Sequence, residues 1–210
     1  MRAILITAGA TRNPIDAMRY ISANSTGRTG AWIASRLAGG ADVTLLGSPE
    51  AISRVDSSVA AEPYTSTEDL MAKMKAWVDA HPDGLVVHAA AVGDYAVAAD
   101  HQDKKIASGQ TDLLLTLVPT PKILDSIRQW SGTAKIISFK AAGPGTDRDS
   151  LMHLAQGQAE RSDSALVFAN TIGRLDTDVF VWGVDGGRWF ATRETALEAL
   201  VETIKSIIAD

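Results

Sequence analysis

The sequence predicts an α/β fold: a doubly wound, mostly parallel, Rossmann-like sheet with a hairpin added at its C-terminal edge. Three observations carry that reading. Short apolar runs take turns with helix-like segments of about 10 to 15 residues, the arrangement that βαβ units impose. The runs are continuous rather than alternating in polarity, as strands buried on both faces require. The last two runs follow each other closely, which suits an antiparallel hairpin and leaves no room for a crossover helix.

Each element can be justified in turn. Residues 2–7, RAILIT, are apolar and end in the turn-prone AGATRNP. Residues 27–40, GRTGAWIASRLAGG, place Trp32, Ile33 and Leu37 at helical spacing and stop at glycine. DVTLLG (42–47) is the next strand. The helix expected over 65–84 opens with a capping box from Thr65 to Glu68, lines up Leu70, Met74, Trp77 and Val78, and stops at Pro82 and Gly84. Strands at 85–92 and 113–118 follow, then a helix over 120–130 with proline in its first turn. A strand at 135–140, a helix across 148–161 and a strand at 165–170 continue the alternation. Strands at 178–183 and 188–192 and an amphipathic helix over 193–208 end it. No repeat or linker divides the chain, so a single domain over 1–210 is expected. The polar stretch 96–112 has no periodicity and reads as an exposed excursion, of a length that is often functional.

Composition limits what such a domain would serve. With 46% hydrophobic and 21% charged residues, the 210-residue chain can bury one sizeable core. Twenty basic residues against 25 acidic ones give a net charge of −5, which offers no broad footprint for a polyanion, so nucleic acid is not an expected partner. The apolar runs fall short of the roughly 20 residues that span a bilayer, and the N-terminus lacks a signal-peptide layout. No membrane association and a cytoplasmic location are expected. The chain has no cysteine, hence no thiolate chemistry, and its four histidines suggest no metal set.

In a parallel α/β sheet, ligands sit beyond the C-terminal ends of the strands. That rule gathers the loops 7–12, 22–30, 91–95, 139–145 and 169–173 on one rim. Gly27 and Gly30 let backbone approach an anion where a helix starts with free N–H groups; the alternative is that they serve tight turns and caps. The first strand is followed by no G-x-G-x-x-G, the chain has no Walker A sequence, and no acidic residue ends 42–47 to hold a ribose. Dinucleotide oxidoreduction is therefore disfavoured.

Seven blocks carry a family resemblance: ILITAGATRNPIDAMRYIS, NSTGRTG, HAAAVGDY, KKIASG, LLTLVPTPKIL, IISFKAA and VFAN. In this order and spacing the chain resembles the phosphopantothenate–cysteine ligase (phosphopantothenoylcysteine synthetase) family, in a stand-alone form without the flavin decarboxylase half. The resemblance implies a ligase of coenzyme A biosynthesis. It would join 4′-phosphopantothenate to cysteine through an acyl-nucleotidylate, with CTP or ATP as co-substrate and Mg²⁺. It also implies a homodimer with shared sites, in which 96–112 would be an exchanged arm. Gly9, Thr11, Ser25, Gly27 and Gly30 match the family's phosphate-cradling loops, and Phe139 and Asn170 its nucleotide contacts. Ala90, Ala91 and Asp94 match its substrate-facing stretch, and Lys105 the first lysine of a mobile segment that closes over phosphates.

Other readings stand beside these: Asp94 capping a turn, Lys105 simply solvated, Phe139 as core and His88 as a satisfied core histidine. The chain also departs from the family pattern. Ala23 stands where the family has the asparagine that holds the intermediate, and Asn24, the local side-chain amide, comes one residue later. In an extended segment the two would face opposite ways. Gly9, Ala10 and Thr11 replace a G-G-T pattern, and Arg161 stands in for the family's later lysines. A divergent ligase for another small carboxylate and a non-catalytic nucleotide- or partner-binding relative are the alternatives.

Overall fold

A computed structural model describes residues 2–98, 104–109 and 111–209. In chain order its elements are β1 (Ile4–Ala8), β2 (Arg12–Pro14), β3 (Tyr20–Ser22), α1 (Arg28–Leu37), β4 (Val43–Gly47), α2 (Pro49–Ile52), β5 (Ala60–Pro63), α3 (Thr67–Ala80) and β6 (Leu85–His88). Then come β7 (Tyr95–Val97), β8 (Leu117–Pro119), α4 (Ile123–Trp130), β9 (Lys135–Ala142), α5 (Arg148–Ser162), β10 (Leu166–Thr171), β11 (Thr177–Gly183), β12 (Gly186–Thr192) and α6 (Arg193–Ala209).

Eight strands form one sheet in the order β12-β11-β10-β9-β6-β1-β4-β5. β5, β4, β1, β6, β9 and β10 run parallel, whereas β10-β11-β12 is antiparallel, so the expected Rossmann-like sheet with a C-terminal hairpin is what forms. Strand alternation splits the core between two faces. Ile4, Ile6 and Phe168 pack with α1 and α6 residues such as Ile33 and Ile204. Leu5, Val86 and Ile136 pack with α3 and α4 on the other face, and Val167 and Ala169 pack with α5. No helix among the described residues is long and apolar enough to cross a membrane.

Several local expectations shift: strand 85–92 stops at His88, and α3, expected over 65–84, stops at Ala80. The apolar run 113–118 was expected to be a buried strand, but only Leu117–Pro119 is strand, and it pairs with β7 in a separate ribbon. β6 and β9 are already direct neighbours, so the sheet has no place for it, and Leu114 is 94% exposed. The α3 cap is Ser66 rather than Thr65: its side chain accepts from Asp69 N at 3.1 Å, while Asp69 Oδ2 accepts from Thr65 N at 2.8 Å. α4 starts at Ile123, after the proline. The ribbon β2-β3 and the edge strand β5 carried no sequence signal, being short, polar or proline-ended.

Candidate functional site

The parallel strands β1, β4, β6, β9 and β10 end on one rim, and α1 begins there. Close packing brings α1 to that place. Gly27 is left-handed, at φ 70, and a Cβ on it would lie 2.8 Å from Gly9 N. A Cβ on Gly30 would lie 2.6 Å from Ala8 Cβ, and one on Gly9 would collide with the Ser48 side chain. The glycines thus seat the first turn of α1 directly on the end of β1. That turn has no side-chain cap and no acidic residue, so its N–H groups and its dipole are uncompensated. Arg28 opens it. Arg193, at the start of α6, donates from Nη2 to Thr29 Oγ1 at 2.9 Å and lies over the Phe168 ring at 5.2 Å. Burial lowers the Arg193 pKa, with Asp176 opposing the shift and Arg28 reinforcing it. The arrangement is locally electropositive in a chain that is acidic overall, which suits an anion.

The other expected residues divide. Ala90 and Ala91 are half-buried on the same rim, where Ala91 N donates to Gly9 O at 2.8 Å and Thr11 N donates to Ala91 O at 3.1 Å. Thr11 is fully buried, its Oγ1 taken by Gly93 N at 2.8 Å and Thr67 Oγ1 at 3.1 Å, so it braces the loop. Ser25 is half-buried beside Gly27. Asn170 is 5% exposed, and its amide makes no hydrogen bond among the described residues. By alternation it lies on the Phe168 face of β10, one step nearer the rim and toward the start of α1. Phe139 is partly buried, 5.1 Å from Phe168, and packs with the core. Asp94 is exposed and paired with Lys122 at 2.5 Å.

Ala23 and Asn24 are both exposed, and Ser25 N donates to Ala23 O at 3.1 Å. The segment is therefore bent at Asn24, and the opposite-face argument for the two residues does not apply. Arg161 lies in the last turn of α5, away from the rim, where it pairs with Asp125 at 3.0 Å. His88 is buried against Thr7, Nδ1 to Oγ1 at 2.9 Å, and burial pushes its pKa down to about 4. It is the satisfied core histidine that its strand suggested.

Lys105 is exposed, and its neighbours dock on the turn between β2 and β3 of this same chain. Ile106 N donates to Asp16 Oδ2 at 3.0 Å, Arg19 Nη2 donates to Ile106 O at 2.8 Å, and Ala17 N donates to Lys104 O at 3.3 Å. Sequence reasoning missed Asp16, Arg19, Arg28 and Arg193. Only the position of Arg28 beside Gly27 could have signalled one of them.

A family model described as the DNA/pantothenate metabolism flavoprotein C-terminal domain matches residues 1–205. The coenzyme A biosynthesis bifunctional protein CoaBC of Thermococcus kodakarensis is 36% identical over 187 residues, 87% of this chain and 45% of that protein. The chain thus spans less than half of that relative. The structure of the DNA/pantothenate metabolism flavoprotein from Streptococcus pneumoniae superposes with TM-score 0.84 at 25% identity, covering 99% of this chain and 100% of the other. A Cab2 H337A mutant in complex with phosphopantothenate-cysteine shares the fold, at TM-score 0.76 and 20% identity, covering 100% and 89%.

These findings correct several expectations. The stand-alone form gives way, since the family is described as one domain of a flavoprotein and the relative is bifunctional. The cofactor class which that description prints is a flavin, not CTP or ATP with Mg²⁺. The phosphopantothenate–cysteine ligase identity, with its acyl-nucleotidylate and its two separate substrates, is accordingly set aside for the coarser statement these names carry, a domain of pantothenate and coenzyme A metabolism. The homodimer with an exchanged arm stays an expectation: within the single chain Lys104–Ile106 contacts the turn between β2 and β3, and residues 99–103 and 110 lie outside the described ones.

A flavin would need a seat for its phosphate and a slot for its flat ring. The start of α1 fits the phosphate. Among the described residues the rim's aromatic rings frame no slot: Phe139 and Arg193 lie against Phe168, Arg12 lies over Tyr20 at 4.8 Å, and Tyr95 is exposed with no second ring facing it. The ring is not fitted, and no step is derived through a flavin.

Proposed function

The chain belongs to the DNA/pantothenate metabolism flavoprotein C-terminal domain family, and from that premise we propose that it binds a phosphorylated precursor of coenzyme A, 4′-phosphopantothenoyl-cysteine, on the rim of its sheet. The observation that carries this reading is the bare start of α1: left-handed Gly27, no cap, no acidic residue, and Arg28 and Arg193 beside it. An uncompensated helix N-terminus flanked by arginines recognises phosphate. Gly9, Gly27 and Gly30 shape that seat, with Ser25 and Asn170 as hydrogen-bonding side chains. Ala90 and Ala91 form a small-residue floor for the organic part, and Asp94 and Asn24 stand at its margin. Lys105 supplies a further cation. Thr11 supports the loop from beneath. The name of the 36% identical relative supports the pathway, and the ligand in the Cab2 complex supports the compound. The reading treats 1–210 as one domain working in the cytoplasm.

Isothermal titration with 4′-phosphopantothenoyl-cysteine, and with its dephosphorylated form as control, tests this. Micromolar binding that needs the phosphate is the expected result; equal binding of both forms, or none, defeats the reading. Carbon dioxide release in the same preparation, with flavin mononucleotide added, tests whether the bound compound is decarboxylated.

A further inference from the structure

The Asp16–Arg19 pair has a use beyond its own turn. Asp16 is 3% exposed, and its Oδ1 accepts from Met18 N at 2.9 Å and Arg19 N at 2.8 Å, closing the turn between β2 and β3. Oδ2 meets Arg19 Nη2 at 2.5 Å and Nε at 3.0 Å, and it accepts from Ile106 N at 3.0 Å, a residue 90 positions away. Arg19 Nη2 in turn donates to Ile106 O at 2.8 Å. One ion pair therefore holds both polar groups of a single residue of another segment, as a neighbouring strand would. It grips backbone, so the hold does not depend on the side chains of 104–106. The residue next to the gripped one is Lys105.

We propose that Asp16 and Arg19 form a seat for the segment Lys104–Ile106, and that they are positioning residues which present Lys105 to the phosphate-bearing ligand. The second half rests on the function proposed above; the seat itself does not. β2 links the seat to the rim, because Asn13 Nδ2 donates to Tyr95 O at 2.9 Å and Arg12 N donates to Thr65 O at 2.8 Å. A lysine ammonium on a flexible stem needs such an anchor, since its own entropy opposes being held.

Asp16→Asn separates the two tasks. The amide oxygen can keep the caps to Met18 and Arg19, while its NH₂ would face the Ile106 N–H and the guanidinium. In the full chain, limited trypsin digestion at Lys104 and Lys105 should accelerate roughly tenfold, the factor that about 1.4 kcal/mol of lost local protection gives. Affinity for 4′-phosphopantothenoyl-cysteine should fall by a similar factor. Lys105→Gln should weaken binding likewise, and Asp16→Asn added to it should cost nothing more, a non-additivity that general loosening would not produce. If Asp16→Asn does not fold, Arg19→Gln removes the donor to Ile106 O and leaves the Asp16 caps in place. Unchanged cleavage at Lys104 and Lys105 in the folded variant overturns the seat. Faster cleavage with unchanged affinity, or additive losses, overturns the positioning of Lys105. If the wild-type chain does not bind the compound, the proposed function and this positioning both fail, and faster cleavage still upholds the seat.

Discussion

His88 shows how a buried residue couples pH to stability. Thr7 Oγ1 accepts from Ala90 N at 3.1 Å, which leaves its hydroxyl proton for His88 Nδ1, and the ring is held neutral. Its folded pKa of about 4 lies below the ordinary 6.5 because burial penalises the charged form. The unfolded chain therefore binds the proton more readily. Stability is fully present above pH 6.5 and is lost as pH falls through the window down to 4, at about 1.4 kcal/mol per unit. Most of that window lies above the ordinary carboxylate range. Urea midpoints measured from pH 7.5 to 4.5 should fall steadily, and His88→Gln should flatten the curve. A residue-scale test of packing sits at Gly30, where an added methyl would also lie 2.8 Å from Thr7 O and could not move without separating α1 from β1. Gly30→Ala should lower stability by about 1–3 kcal/mol, the usual cost of overpacking, as read by urea titration.

At the scale of elements, α5 offers the opposite case. Gly157 lies inside this helix with nothing within 4 Å of an added Cβ, so Gly157→Ala should raise stability by about 0.5–1 kcal/mol. Ser66→Ala removes the acceptor for Asp69 N at the start of α3 and should cost about 1 kcal/mol. Both shifts are measurable as melting temperatures. Elements with a strong period were legible in the sequence: α5, α6 and the central strands lie within two residues of where periodicity put them, whereas α3, expected over 65–84, ends at Ala80, and strand 85–92 ends at His88. The ribbon strands were not legible. LLLTLV looks like a buried strand because hydrophobicity reports the wish to be covered, not the presence of a gap in the sheet. Arg12–Pro14 and Tyr20–Ser22 have three residues each and pair only with each other, so no local pattern could announce them.

Across the whole molecule, the sheet brings together what the sequence keeps far apart. The glycine-marked start of α1 was legible because backbone constraint leaves a residue signature. Asp16, Arg19 and Arg193 were not legible, because a charged residue on a turn or at a helix start looks the same in solvent as in a site. Arg193 is the clearest instance. It is 164 residues from Thr29, yet it donates to that hydroxyl, and its backbone N donates to Asp176 O at 3.0 Å. The C-terminal hairpin and α6 thus support the first turn of α1 from the far edge of the sheet. Two consequences follow from removing the guanidinium while keeping its packing over Phe168. Arg193→Met should free Thr29 and loosen the first turn of α1, raising hydrogen exchange at Ala31 and Trp32 while the core amides of β1 stay protected. It should also remove one of the positive charges at the phosphate seat and weaken 4′-phosphopantothenoyl-cysteine binding by roughly ten- to a hundredfold, in line with the loss of a charge-assisted contact. Arg193→Lys keeps the charge without the planar fork, so it should recover part of the salt-dependent affinity but not the exchange protection. Equal exchange in wild-type and Arg193→Met chains would mean that α1 holds its first turn unaided, and that the far edge of the sheet contributes to the site by charge alone.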